Sequence, residues 1–133
     1  MVIWHGEKGR KPTGGIIHIA RKKRKYELGS LPLYTKIEKE KRVIKKVKGG
    51  KFKIKCSSVE FANVLDKKTN QTKKVKILDV VEHPDNPLLT RGKIITKGCT
   101  IKTEIGNAKV TSRPSQHGVV NALIVEPASQ KEK

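Results

Sequence analysis

The sequence predicts an all-β fold, a small antiparallel barrel-like or sandwich domain, carrying a basic and mostly irregular N-terminal arm. Three observations carry this prediction. From Arg42 onward, runs rich in Val, Ile and Thr are separated by turn residues about every 8–12 positions. Lys51 to Cys56 alternates strictly between basic and apolar residues, the period of a strand with one buried face. The charge is also divided unevenly, with 18 basic and 4 acidic side chains in residues 1–55 against 13 and 8 in residues 56–133.

The length of 133 residues leaves room for one ordinary domain and a tail. Only 35% of the residues are hydrophobic and 4% aromatic, below the roughly 45–50% apolar content of a typical globular chain, so the core must be small. Against it stands a formal net charge of +19, whose self-repulsion opposes compaction unless a polyanion neutralises it. Nucleic acid is the partner that fits. A basic membrane-surface protein needs an amphipathic helix with bulky apolar residues opposite its charges, and no such pattern occurs. Nor does any stretch approach the roughly 18 apolar residues of a membrane span, and MVIWHGEKGR lacks the apolar region of a signal peptide. The chain is therefore expected to stay inside the cell, with Cys56 and Cys99 as two free buried thiols.

Residues 1–41 read as the arm: RKPTGG, RKKRKYELG, LPLY and EKEK carry Gly and Pro punctuation without a lasting apolar period, and the arm is expected to order on its partner. Residues 42–126 form the β domain. Val43–Lys48 and Lys51–Cys56 make a hairpin around Gly49-Gly50, with Phe52, Ile54 and Cys56 on a buried face and the lysines on the other. Val59–Leu65 is the next strand, DKKTNQT a turn, and Lys74–Glu82 a strand with Val75, Ile77, Asp79 and Val81 on one face. The two prolines of HPDNP exclude a continuing strand. Lys93–Lys97, Thr100–Ile105 and Ala108–Arg113 follow, the last two joined by a two-residue Gly106-Asn107 turn, and Val119–Glu126 closes the domain. Residues 127–133 form a frayed tail. No repeat of fixed period occurs.

The densest cationic feature is Arg21, Lys22, Lys23, Arg24 and Lys25, followed by Tyr26. Such a run suits an RNA-threading arm, against the plainer reading of a solvated or nuclear-import-like run. Arg21 and Arg24 are the sharper candidates, since guanidinium binds phosphate bidentately. Tyr26 either stacks on an unpaired base or, the favoured reading, packs beneath the arm with Leu28. Trp4, the only tryptophan, belongs to the core or inserts into a crevice of RNA or protein. In TSRPSQHG, Pro114 and Gly118 fix a rigid loop whose rim carries Arg113, Ser115, Gln116 and His117. This is either a donor-rich RNA contact or a plain hairpin connection. The candidate RNA-binding set is Arg10, Lys11, Arg21, Lys22, Lys23, Arg24, Lys25, Tyr26, Lys45, Lys46, Lys48, Lys51, Arg91, Lys97, Arg113, Gln116 and His117. No catalytic or metal-binding residue is assigned. Gly14-Gly15 and Gly49-Gly50 lack the Lys-Ser/Thr of a nucleotide loop, the His and Cys residues lack local ligand spacing, and Ser112, Ser115 and His117 lack an orienting carboxylate.

Several motifs, in order, resemble one family: RKPTGG (10–15), RKKRKYELG (21–29), TK (35–36), VKGG (47–50), ANVLD (62–66), KILDVVEHPDNP (76–87), IITKG (94–98) and VTSRPSQHGVVNA (110–122). The family is ribosomal protein eight of the small subunit, of the archaeal and eukaryotic type, and the similarity runs from about residue 8 to residue 126. The short length resembles archaeal members. The resemblance implies a β-barrel-like domain with an extended basic arm seated on small-subunit ribosomal RNA beside neighbouring ribosomal proteins, in the cytoplasm. It implies no enzymatic activity, cofactor, small-molecule substrate or membrane association. Ser30, Gly92, Ser115 and His117 depart from the family's usual residues, which removes some phosphate contacts and leaves the loop at Ser115 open. The alternatives are a nucleolar large-subunit assembly factor of the same domain family, a DNA-compacting protein, and a small RNA-modifying enzyme.

Overall fold

The computed structural model describes residues 3–84 and 86–127. The chain divides into two compact units, 1–32 and 33–133.

In the first unit, strand β1 (Ile3–Trp4) pairs antiparallel with β2 (Leu28–Gly29), and a 3-10 turn, Lys25–Glu27, leads into β2. Between them RKPTGG folds on itself. Arg10 bridges Ile16, the Lys11 N–H donates to the Gly15 carbonyl (2.8 Å), and the Gly14 N–H donates to that of Lys11 (2.9 Å). Among the described residues the rest of this unit forms no helix or strand.

The second unit contains β3 (Thr35–Ile37), β4 (Lys41–Lys46), β5 (Phe52–Val59), β6 (Phe61–Asp66), β7 (Gln71–Glu82), α1 (Pro87–Arg91), β8 (Ile94–Ile95), β9 (Thr100–Thr103), β10 (Gly106–Val110), α2 (Pro114–His117) and β11 (Asn121–Pro127). Five strands close a barrel in the order β10-β11-β6-β7-β9, and β4-β5-β3-β8 form a second sheet. Closure leaves those five strands without a free edge. The barrel is antiparallel except where β11 runs parallel to β6, from Asn121 opposite Asn63 to Leu123 opposite Leu65. The interior is lined at every second residue by small and β-branched side chains: Ala62 and Val64, Val75 and Ile77, Ala108 and Val110. This is how a chain so poor in aromatic residues fills a core.

Several expectations need correction. Residues 33–41 belong with the β unit and not with the arm. Thr35 is fully buried and its hydroxyl donates to the Cys56 carbonyl (2.8 Å), while Lys36 and Ile37 pair parallel to Ser58 and Val59. Three residues are too few to show a period. In β7, register shifts against β9 between Ile77 and Asp79 and again between Val80 and Glu82 turn Val80 inward, leaving Val81 49% exposed, so the regular alternation through Asp79 and Val81 fails. The β9–β10 turn is Glu104-Ile105, and Asn107 already pairs with Lys102 inside the ladder. The HPDNP segment does end the strand, β7 stopping at Glu82, and it goes on to start α1, with the Asn86 side chain accepting from the Leu88 N–H (2.9 Å) and Pro87 in the first helical turn. The hairpin's apolar face buries only its inner end: Cys56 is fully buried, whereas Ile54 is 43% and Phe52 65% exposed. The tail lies outside the described residues apart from Pro127, which ends β11.

Candidate nucleic-acid interface

In the first unit the basic run is organised around one carboxylate. Glu27 sits at the end of the 3-10 turn and accepts from the Trp4 indole N–H (2.9 Å), from the Arg24 backbone N–H (3.2 Å) and from the Arg21 guanidinium. The Arg21 contact first, then Trp4 and Arg24, hold the Glu27 carboxyl down at about 2, and the same contact raises Arg21. Arg21 also lies over the Tyr26 ring (6.0 Å to its centre) and Lys23 over Trp4 (5.4 Å). Tyr26 is 79% exposed, so its packing beneath the arm with Leu28 is overturned: a two-residue strand gives no core to cover the ring. Trp4 is half-buried and held by its hydrogen bond to Glu27. Arg10 spends one guanidinium nitrogen on the Gly14 carbonyl (2.9 Å), which steadies its own loop. Lys11, Lys22 and Lys25 make no ion pair among the described residues.

In the second unit the β4–β5 ladder sets Lys45 directly opposite Lys53 and Val43 opposite Lys55 on one face. Directly opposed like charges destabilise a strand pair. None of these three lysines is ion-paired among the described residues, where salt bridges join Arg42 to Glu40, Lys76 to Glu60 and Lys93 to Asp79. Lys46 lies opposite Phe52, hence on the apolar face. Lys48 and Lys51 flank the turn, where Gly49 (φ 78°) and Gly50 (φ 72°) take backbone angles that side chains disfavour. Lys53 and Lys55 were not among the candidate residues, although the alternation that places Phe52 and Ile54 on one face already puts both on the other.

Gln116 and His117 stand on α2, the short helical turn formed within TSRPSQHG, and Arg113 is the residue at its N-terminal cap. The His117 Nδ1 accepts from the Arg113 backbone N–H (3.2 Å), which places the proton of a neutral ring on Nε2. Gly118 ends the turn at φ 74° and seats it against β5. A Cβ there would lie 2.8 Å from the Ile54 Cγ2 and 3.1 Å from its carbonyl oxygen, and the Cys56 thiol donates to the Gly118 carbonyl (2.9 Å). The fold thus joins this donor-rich turn to the hairpin. Arg91 and Lys97 are not brought there. They flank β8, at the sheet edge opposite β4 with two strands between.

The remaining polar groups read as structural. Cys56 and Cys99 are free, buried, and pushed up by burial, so both remain thiols near neutral pH. Among the described residues no three His, Cys, Asp or Glu side chains gather as metal ligands, and no helix is long and apolar enough to cross a membrane.

Residues 4–125 match the family model for Ribosomal protein S8e. The chain is 46% identical over 133 residues to the small ribosomal subunit protein eS8 of Hyperthermus butylicus, covering 98% of each chain. It is likewise 46% identical over 132 residues to that of Saccharolobus solfataricus (98% of this chain, 99% of the other). With the eS8 protein of Methanospirillum hungatei it shares 44% over 123 residues (92% and 98%). A match over nearly the whole length, spanning both the arm and the barrel, places this chain in the ribosomal protein S8e family.

Proposed function

We propose that this chain is a structural constituent of the small ribosomal subunit, working in the cytoplasm within the ribosome, that binds and stabilises ribosomal RNA and catalyses no reaction. The observation that carries the RNA-binding role is the opposed pair Lys45 and Lys53, with Lys55 beside it, on a strand face that lacks a neutralising acid among the described residues. A polyanion turns that unfavourable ladder into a favourable one, because each ammonium displaces a counterion from phosphate.

The arm supplies the second contact. Lys11, Lys22, Arg24 and Lys25 reach phosphates, Arg21 and Tyr26 together offer a planar cation and a ring to an unpaired base, and the arm's irregular parts order on RNA around the turn that Glu27 already holds. Arg113, Gln116 and His117 add donors beside the hairpin. Arg91 and Lys97 belong to a separate contact at the far sheet edge. Neighbouring small-subunit proteins are the other partners.

Sedimentation of cell extract through sucrose gradients at low and moderate salt tests this reading. Co-migration with the small subunit is the expected result. Recovery instead as free protein, on large-subunit precursors or on DNA overturns it. Neutralisation of about eight phosphates makes affinity for protein-free small-subunit RNA fall by on the order of 10³ to 10⁵ between 50 and 200 mM salt.

A further inference from the structure

At the end of the barrel away from the hairpin, β6 and β11 part company. Their parallel pairing runs from Asn63–Asn121 to Leu65–Leu123, and beyond it the chain of β6 turns off at Asp66 into the 66–71 turn. The gap is a slot of about 480 Å³. Its walls are aliphatic: Ile105, Leu123, Ile124 and Val125, the last 58% exposed. Its rim carries Lys67, Lys68 and Lys109. The acid that lines the slot among the described residues is already used, since the Asp66 carboxylate accepts from the Lys68 backbone N–H (2.9 Å) and the Thr69 hydroxyl (3.1 Å), contacts that hold its pKa down. The three lysines make no ion pair among the described residues.

We propose that this slot docks a segment of a neighbouring protein in the small subunit, and this inference rests on the function proposed above. The segment buries one large apolar side chain between Leu123, Ile124 and Val125 and sets carboxylates against Lys67, Lys68 and Lys109. Two features select protein over RNA. Among the described residues the walls hold no aromatic ring or guanidinium on which a base would stack, whereas an aliphatic centre with a charged rim is the make-up of a protein interface. The slot also stands roughly 17 Å along β6 from Phe61, the end of the strand that follows the hairpin, at the 3.3 Å strand rise. The barrel therefore separates an RNA-facing end from a protein-facing end.

The test places a photo-crosslinking p-benzoylphenylalanine at Val125 of the full chain, and in a second variant at Lys53, each assembled into small subunits in cells. Expected is a protease-sensitive adduct to another protein from position 125 and a nuclease-sensitive adduct to RNA from position 53. An RNA adduct at 125, an adduct only to this chain's own residues 128–133, or no adduct at 125 while 53 reacts overturns the slot proposal. If neither variant, nor the unmodified chain, sediments with the small subunit, the function proposed above fails instead. The exposed pair Val125→Asn with Lys109→Gln gives a second reading. Its affinity for protein-free ribosomal RNA stays within about twofold, while its retention on assembled subunits in high salt falls about tenfold. Equal loss in both assays overturns the proposal.

Discussion

The arm and the β4–β5 hairpin are both strongly cationic, yet they carry their charge in opposite ways. In the arm, Glu27 binds Arg21 and Trp4, and Lys23 rests on Trp4, so the basic turn has a shape before any partner arrives. On the hairpin, Lys45 faces Lys53 without an ion pair among the described residues, held in line by the backbone ladder. Net charge alone does not distinguish these cases. An internal carboxylate yields a preformed but partly neutralised contact, whereas an uncompensated ladder keeps its full charge for the ligand.

Replacing Lys45, Lys53 and Lys55 together with Ala should have the largest effect. The slope of log affinity against log salt for ribosomal RNA falls by about 2 to 3. The same treatment of Arg21, Arg24 and Lys25 should lower it by less, because Arg21 already has Glu27 as an anion. Equal losses, or an unchanged slope in either variant, would break the contrast. Next in size is Gly118→Val, which combines a disfavoured backbone angle with a collision at Ile54. It should cost about 2–3 kcal/mol in thermal or denaturant unfolding, and an unchanged midpoint would show that the turn is not a seat. Smaller still, Lys53→Glu should weaken RNA binding while stabilising the free protein by about 0.2–1 kcal/mol, as an opposed like pair becomes an opposite one. A loss of stability would mean that the lysine ladder carries no strain.

The smallest effect concerns Glu27. Its carboxyl is held at about 2, below the ordinary value of about 4.3, so its support for the turn is fully present above that ordinary value and is lost as pH falls through about 2. Trp4 is the only tryptophan and touches this carboxylate, so its fluorescence should change in acid between roughly pH 4 and 2. Glu27→Gln should remove that titration. Its persistence in the variant would assign it to another group.

Much of this was legible in the residues because it rests on short periods. The Lys51–Cys56 alternation places lysines and apolar side chains on opposite faces, and the Val- and Ile-rich runs announce a β domain with a small core. Motif order, from RKPTGG to VTSRPSQHGVVNA, identifies the family. The misreadings have a common origin in contacts between distant parts of the chain. Thr35 becomes part of the β unit through a bond to Cys56, and Val80 turns inward because β7 bulges against β9. Tyr26 lies open, 79% exposed, beside a strand of two residues that offers it no core.

By itself, then, the sequence determined the strand periods, the turn at Gly49-Gly50, the excess of cation at the N-terminal end and hence the class of ligand. These follow from steric and electrostatic rules that act over a few neighbouring residues. Tertiary structure alone decided which cations are neutralised, why TSRPSQHG lies beside the hairpin while Arg91 and Lys97 do not, and that two parallel strands part to leave a slot. Those outcomes depend on register and on pairs as far apart in the chain as Cys56 and Gly118, whose meeting is set by the seating of the α2 turn against β5 of the second sheet and not by any local pattern.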